Sequence, residues 1–252
     1  MIRWVFLDMG NVVMNDDPVM TYLYELLHDE LQREGRKVSF EQLMADREEI
    51  IAERGTGHWS ILTERILGKE RHETLARTSA EHLRANYLQY HNVLPGMADA
   101  LQQLSEEFSL GIVANQMSVA EDALREVGLA HHFRFIALSE RVGAAKPDPT
   151  IFHWALAQAQ CQPEEAIMVG DRIDTDIVPA RRLGLWTLWF HADPRCKGWD
   201  PSGPRAHAYR ESQLRASTSS VGPTGKSEEP DGRAVNADEL VSEIRRICSI
   251  SE

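Results

Sequence analysis

Three stretches of this sequence place reactive polar side chains where an apolar run stops, and a fourth brings a lysine in a turn. Val5-Phe6-Leu7 ends in Asp8, followed by Met9, Gly10 and Asn11, and Ile112-Val113-Ala114 ends in Asn115. Ala166-Ile167-Met168-Val169 runs into Gly170-Asp171, with Asp174 and Asp176 close behind, and Lys146 opens the proline-fixed turn Lys146-Pro147-Asp148-Pro149. A carboxylate can act as a nucleophile or hold a hard cation. An ammonium and an amide can offset charge that develops on a reacting centre. Asp8 alone reads equally well as a solvated turn aspartate. Two carboxylates, a lysine and an asparagine at such points favour a site, because the carboxyl ends of parallel strands converge on one crevice.

The elements that would position these groups follow from hydrophobic periodicity. Apolar runs at Val5–Leu7, Leu110–Ala114, Phe135–Leu138, Ala166–Val169 and Trp186–Phe190 read as buried strands. Helical patterns alternate with them, at Ala98–Glu107, after Ser118, over Ile151–Gln160 and through Ile177–Leu183. That alternation predicts an α/β fold, a doubly wound parallel sheet. Between the first strand and Tyr90 only helical signals occur: Asp16-Asp17-Pro18 starts a helix, and Ser39-Phe40-Glu41-Gln42 is a capping box. The expected organisation is therefore a core from residues 1–15, 91–192 and 234–252, with an all-helical cap over 16–90. Residues 193–233, crowded with Pro, Ser, Gly and charge, read as a flexible excursion that supplies no core. Asn236 then caps a last amphipathic helix carrying Leu240, Val241, Ile244 and Ile247.

Composition excludes several classes of function. The chain has 252 residues, 42% of them hydrophobic, and a formal net charge of −12, which disfavours nucleic acid and anionic membrane as partners. Three cysteines, Cys161, Cys196 and Cys248, lack metal-site spacing and cannot all pair, so a reducing, cytoplasmic setting is expected. No run approaches the length of a membrane span or of a signal-peptide core. Gly222-Pro223-Thr224-Gly225-Lys226-Ser227 has some likeness to a phosphate-binding loop, but Ser220 stands where the first glycine is needed and no strand precedes it. Gly55-Thr56-Gly57-His58-Trp59 reads either as a turn that touches substrate or as a plain connection between two helices.

Taken together, the four stretches resemble the haloacid dehalogenase superfamily of hydrolases with a helical cap. Asp8-Met9-Gly10-Asn11-Val12 matches that family's D-x-D-G-[TV] motif at its first and last positions, and Val113-Ala114-Asn115 matches the second motif's strand and asparagine. Lys146-Pro147-Asp148-Pro149-Thr150-Ile151-Phe152 follows the third motif, and Gly170-Asp171 with Asp176 the fourth. The resemblance implies a phosphatase acting on a small phosphorylated metabolite. Asp8 would be the nucleophile, and Lys146 would neutralise charge on Asp8 and on the phosphoryl group. Asn115 and Asn11 would bind substrate. Mg²⁺ would be held by Asp8, the Gly10 carbonyl and Asp171, with Asp176, or its rival Asp174, behind the metal. Two positions depart from the family. Gly10 replaces the aspartate that protonates the leaving group, and Ala114 replaces a hydroxyl that bonds the phosphate. These departures admit two further readings, a catalytically silent member that binds a phosphorylated ligand or a protein partner, and a metal-free dehalogenase.

Overall fold

A computed structural model describes residues 1–53 and 57–251. In chain order its main elements are β1 (Trp4–Leu7), α1 (Asp17–Arg33), α2 (Phe40–Ala52), α3 (His58–Leu67), α4 (Lys69–Ala85) and α5 (Met97–Glu107). There follow β2 (Ser109–Ala114), α6 (Val119–Glu126), β3 (Phe133–Leu138), α7 (Pro149–Ala159), β4 (Ala166–Gly170) and α8 (Val178–Arg182). The chain ends with β5 (Trp186–Phe190), α9 (Pro204–Arg215), β6 (Gly232–Ala234) and α10 (Ala237–Ile250). Shorter turns join them.

The six strands form one sheet in the order β3-β2-β1-β4-β5-β6, every neighbouring pair parallel. The fold class expected from the sequence is the one found. Parallel strands need covering on both faces, and β1 shows the consequence in its composition. Phe6 packs in a cluster with Ile151, Phe152 and Ala155 of α7, while Val5 and Leu7 point the opposite way and are equally buried. The helices α5 and α10 pack on each other, α5 also against β2 and α10 against β5 and β6.

Two compact units result. One comprises Met1–Asn15, Val93–Lys197 and Gly222–Glu252 and contains the sheet; the other comprises Asp16–Asn92 and Gly198–Val221. The second unit is helical, with a core drawn from Tyr24 and Leu27 of α1, Leu43 and Ile50 of α2, Trp59 and Leu62 of α3, Leu75 of α4 and Tyr209 of α9. The stretch 193–233 thus corrects the sequence reading, since it supplies a core helix to one unit and the strand β6 to the other. The reason is visible in the side chains. The buried positions of α9 are Ala206, Tyr209, Ser212 and Gln213, so polar atoms occupy half of its inner face and no hydrophobic stripe advertises it. Arg47 of α2, fully buried, donates to Ser212 Oγ at 2.9 Å, the Ala216 carbonyl at 2.9 Å and Gln213 Oε1 at 2.8 Å. Hydrogen bonds to a buried guanidinium therefore do what apolar periodicity does elsewhere. The Gly55-Thr56 turn lies outside the described residues. Among those described, no helix is long and apolar enough to cross a membrane.

Candidate active site

The sheet order puts β1 between β2 and β4, so the residue leaving β1 has neighbours on both sides. The Asp8 N–H donates to the Val169 carbonyl at 2.8 Å, carrying the ladder one residue past the strand and fixing the Asp8 backbone at the carboxyl edge. A tight reversal follows, with the Met14 and Val13 N–H groups on the Met9 carbonyl at 2.8 and 2.9 Å. Asn11 takes the left-handed conformation this turn needs, at φ 53°. Asparagine tolerates that region better than most residues with a side chain.

Lys146 is the hub. Its side chain is buried, and its Nζ lies 2.7 Å from Asp8 Oδ1 and 2.6 Å from Asp176 Oδ1. Desolvation opposes charge on this ammonium, but the two carboxylates outweigh it and hold its pKa above the ordinary lysine value. Asn115 positions the lysine through its backbone. Its Nδ2 donates to the Lys146 carbonyl at 2.8 Å and its Oδ1 accepts from the Lys146 N–H at 2.7 Å. A side-chain amide closing on one residue's peptide groups in both directions fixes the lysine loop against the end of β2.

The loop after β4 supplies the remaining carboxylates. It winds into a single π-helical turn over Ile173–Ile177, in which the Ile177 N–H reaches the Arg172 carbonyl at 3.2 Å. Such a turn, with its extra residue, re-aims side chains and recurs at functional sites. Here it folds Asp176 back over the strand end, where its Oδ2 accepts from the Arg172 N–H at 3.0 Å. Burial pushes the Asp176 carboxyl up to about 6, against the pull of Lys146. Asp174 points elsewhere, its two oxygens bonded by Arg172 Nε at 3.0 Å and Nη2 at 2.7 Å. Of the two candidates for the place behind the metal, Asp176 is the one that reaches the lysine.

Asp8, Asp171 and Asp176 each offer a carboxylate oxygen, and the three oxygens lie within 4.8 Å of one another. Three hard oxygen donors at that separation suit a hard divalent cation and offer nothing to a soft one. Beside these loops opens a groove of about 550 Å³ lined by Asn115, Gln116, Met117, Ser139, Glu140 and residues 143–145.

Two contributors carried no sequence signal. Trp189 of β5 donates its indole N–H to the Asp171 carbonyl at 3.0 Å, which ties the backbone of that carboxylate to the neighbouring strand. Lys197, at the end of the loop leaving β5, is 1% exposed and donates to Asn11 Oδ1 at 2.9 Å. Asn11, read as a substrate ligand, therefore already engages a cation. The phosphate-loop likeness finds no support in the structure, because Glu228 accepts from the Thr224 N–H at 2.7 Å and from its hydroxyl at 2.8 Å. A carboxylate fills the place an anion would need.

A family profile described as haloacid dehalogenase-like hydrolase matches residues 34–190, a span that holds Asn115, Lys146, Asp171 and Asp176 but begins after Asp8. A glyceraldehyde 3-phosphate phosphatase of Methanopyrus kandleri is 33% identical over 156 residues, 60% of this chain and 66% of that protein's length. The protein of the same name from Pyrococcus furiosus is 27% identical over 201 residues, covering 75% and 80% of the two chains. Among solved structures, an HAD phosphatase from Thermococcus onnurineus superposes with a TM-score of 0.62 at 19% identity, covering 98% of both chains. A 2-haloacid dehalogenase from Pseudomonas syringae superposes at 0.57 with 23% identity, covering 98% of this chain and all of the other. At those identities the likeness speaks for the fold alone, and the fold is common to both chemistries. With the profile running over more than half of its length, the chain belongs to the haloacid dehalogenase-like hydrolases.

Proposed function

We propose that this chain is a Mg²⁺-dependent phosphatase that hydrolyses a small phosphorylated metabolite through an aspartyl-phosphate on Asp8. The observation that carries the reading is the buried Lys146 ammonium shared by Asp8 and Asp176, with an Asp171 oxygen in the same cluster. Asp8, Asp171 and the Gly10 carbonyl would hold the metal, which when bound supplies positive charge to the phosphoryl oxygens. Asp8 attacks phosphorus and Lys146 offsets the charge gathered on the transferring group. Water then opens the acyl phosphate. Asp176 keeps Lys146 charged and aimed, and Asn115 fixes its backbone, the amide's second N–H being the one suited to a phosphoryl oxygen.

The relatives' names supply the substrate class. Besides the triose phosphate enzymes, a pyrimidine 5'-nucleotidase of Escherichia coli and a phosphoserine phosphatase of Thermus thermophilus match this chain over 105 and 99 residues. All three names denote phosphomonoesterases of small molecules. We assign the helical unit the place of the family's cap, and the cytoplasm as the setting in which three free cysteines are stable. Incubation with Mg²⁺ and a panel of phosphomonoesters that includes glyceraldehyde 3-phosphate tests the reading. Phosphate release should vanish with a chelator and with Asp8→Asn. No release, or equal release from Asp8→Asn, overturns it.

A second reading rests on Gly10 and Ala114, which lack the acid and the hydroxyl of the first two motifs: the chain binds a phosphorylated ligand without turnover. Calorimetry on the same panel, with binding heat and no phosphate release, would establish it. Metal-free dehalogenation is disfavoured by the clustered carboxylates, and halide release indifferent to chelator would revive it.

A further inference from the structure

We propose that Trp189 is a positioning residue for the reacting centre, setting the peptide between Asp171 and Arg172 and, through it, the Asp176 carboxylate and Lys146. This rests on the phosphatase reading and adds to it a residue outside all four motifs.

That peptide is held at both ends. Its carbonyl, on Asp171, accepts the Trp189 indole N–H at 3.0 Å, and its N–H, on Arg172, donates to Asp176 Oδ2 at 3.0 Å. Asp176 Oδ1 lies 2.6 Å from Lys146 Nζ, which lies 2.7 Å from Asp8 Oδ1. A chain of polar contacts therefore runs from the indole through one peptide group to the carboxylate assigned the attack on phosphorus. A hydrogen bond on a carbonyl polarises its peptide and strengthens what the N–H donates, most of all away from water. Loss of the indole N–H would weaken the hold on Asp176 and loosen the backbone that carries Asp171.

The ring is placed for this role. Trp189 of β5 is in register with Gly170, the last residue of β4. Residues in register on parallel neighbours project to the same face, and on that face a Cβ built on Gly170 would stand 2.2 Å from the Asp176 Cβ. The indole thus lies on the side over which Asp176 folds back. Trp189 is 4% exposed and packs with Ile173 and Ile177, the first and last residues of the π-helical turn that carries Asp176. His191 stacks on its ring with centroids 4.3 Å apart, and the Arg233 guanidinium of β6 lies 5.3 Å from the ring centroid. Packed in this way, the indole presents its N–H without reorganisation.

Phenylalanine and histidine separate the N–H from the bulk of the ring. Trp189→Phe keeps a six-membered ring and loses the donor, whereas Trp189→His loses bulk and keeps an N–H at the corresponding place of its five-membered ring. Phosphate release from the phosphomonoester panel at saturating Mg²⁺ gives kcat, and calorimetry gives the Mg²⁺ affinity. For Trp189→Phe kcat should fall by about 10-fold or more, the usual effect of removing a hydrogen-bond partner behind a ligand, with Trp189→His nearer the wild type. Trp189→His equal to or below Trp189→Phe overturns the inference, since packing would then be all that Trp189 supplies, and so does Trp189→Phe as active as the wild type. A wild type that releases no phosphate fails the phosphatase reading. Mg²⁺ affinity then decides for Trp189, by the same order of the two variants. If either variant fails to fold, as judged by circular dichroism, the isotope-labelled indole N–H signals of the other protein forms decide. A signal that shifts with Mg²⁺ in the wild type but not in Asp171→Asn supports the role, and no shift, or one that persists in Asp171→Asn, refutes it.

Discussion

Gly10 is the position where one side chain should change the chemistry most. It is not among the described glycines with left-handed backbone, so a carboxylate there meets no conformational penalty of that kind. Lys146, Asp8 and Asp176 are already bonded to one another without it. Gly10→Asp should therefore raise kcat/KM for alkyl phosphates, toward the ~10²- to 10⁴-fold worth of a positioned general acid. Steady-state phosphate release from the variant beside the wild type measures it. A gain restricted to alkyl esters would show that only leaving-group protonation had been lacking, whereas an unchanged rate would mean that the wild type does not depend on an acid at this position. Ala114 is a smaller deficit. One hydrogen bond to a charged partner is worth on the order of 1.5 to 3 kcal/mol.

At the scale of elements, the site depends on how the π-helical turn after β4 seats on the strand it leaves. A Cβ built on Gly170 would stand 2.2 Å from the Asp176 Cβ and 2.4 Å from its Cγ. Neither atom can move far, because the Asp176 carboxylate is bonded to both Lys146 and the Arg172 N–H. Gly170→Ala should consequently push the whole turn away, lowering stability by about 1 to 3 kcal/mol, the usual cost of overpacking. It should also raise the Mg²⁺ concentration needed for half-maximal activity. Urea denaturation and a metal titration read the two effects. Asp171 and Asp176 were legible in the sequence because a strand ending in Gly-Asp is local, and so were Asp8, Asn115, Lys146 and the five longer strands. The clamp of Asn115 on the Lys146 peptide was not, since it joins residues 31 apart through a backbone that has no sequence code. Nor was Lys197 or Trp189. Each acts through one long-range hydrogen bond, and their own neighbours in sequence say only loop or strand. The three-residue β6 was hidden for another reason: Gly232-Arg233-Ala234 is too short and too polar for a period to show.

For the whole molecule, the arrangement of the chain matters more than its length. The path passes from one unit to the other after Asn15, after Asn92, after Lys197 and after Val221. A helical unit made by a single insertion would need only the first two passages. The second pair lets α9 complete a core that α1 to α4 leave unfinished, with Tyr209 in the cluster and Gln213 bonded to Asp17 at 2.9 Å and to the Tyr209 hydroxyl at 2.7 Å. Arg47 joins that network to α2 and also lies over the Tyr209 ring, 5.2 Å from its centroid. Arg47→Met keeps much of the side chain's volume but strands the Ser212, Gln213 and Ala216 acceptors, a cost of about 1 to 3 kcal/mol for each one left unpaired. Because those acceptors all belong to α9 or its end, the variant should loosen α9 and the faces of α1 and α2 that it covers. Amide hydrogen exchange should then show protection lost over 17–52 and 204–215 together, while β1, β2 and β4 exchange as in the wild type. Loss limited to 204–215 would instead make α9 an accessory resting on a core already complete without it.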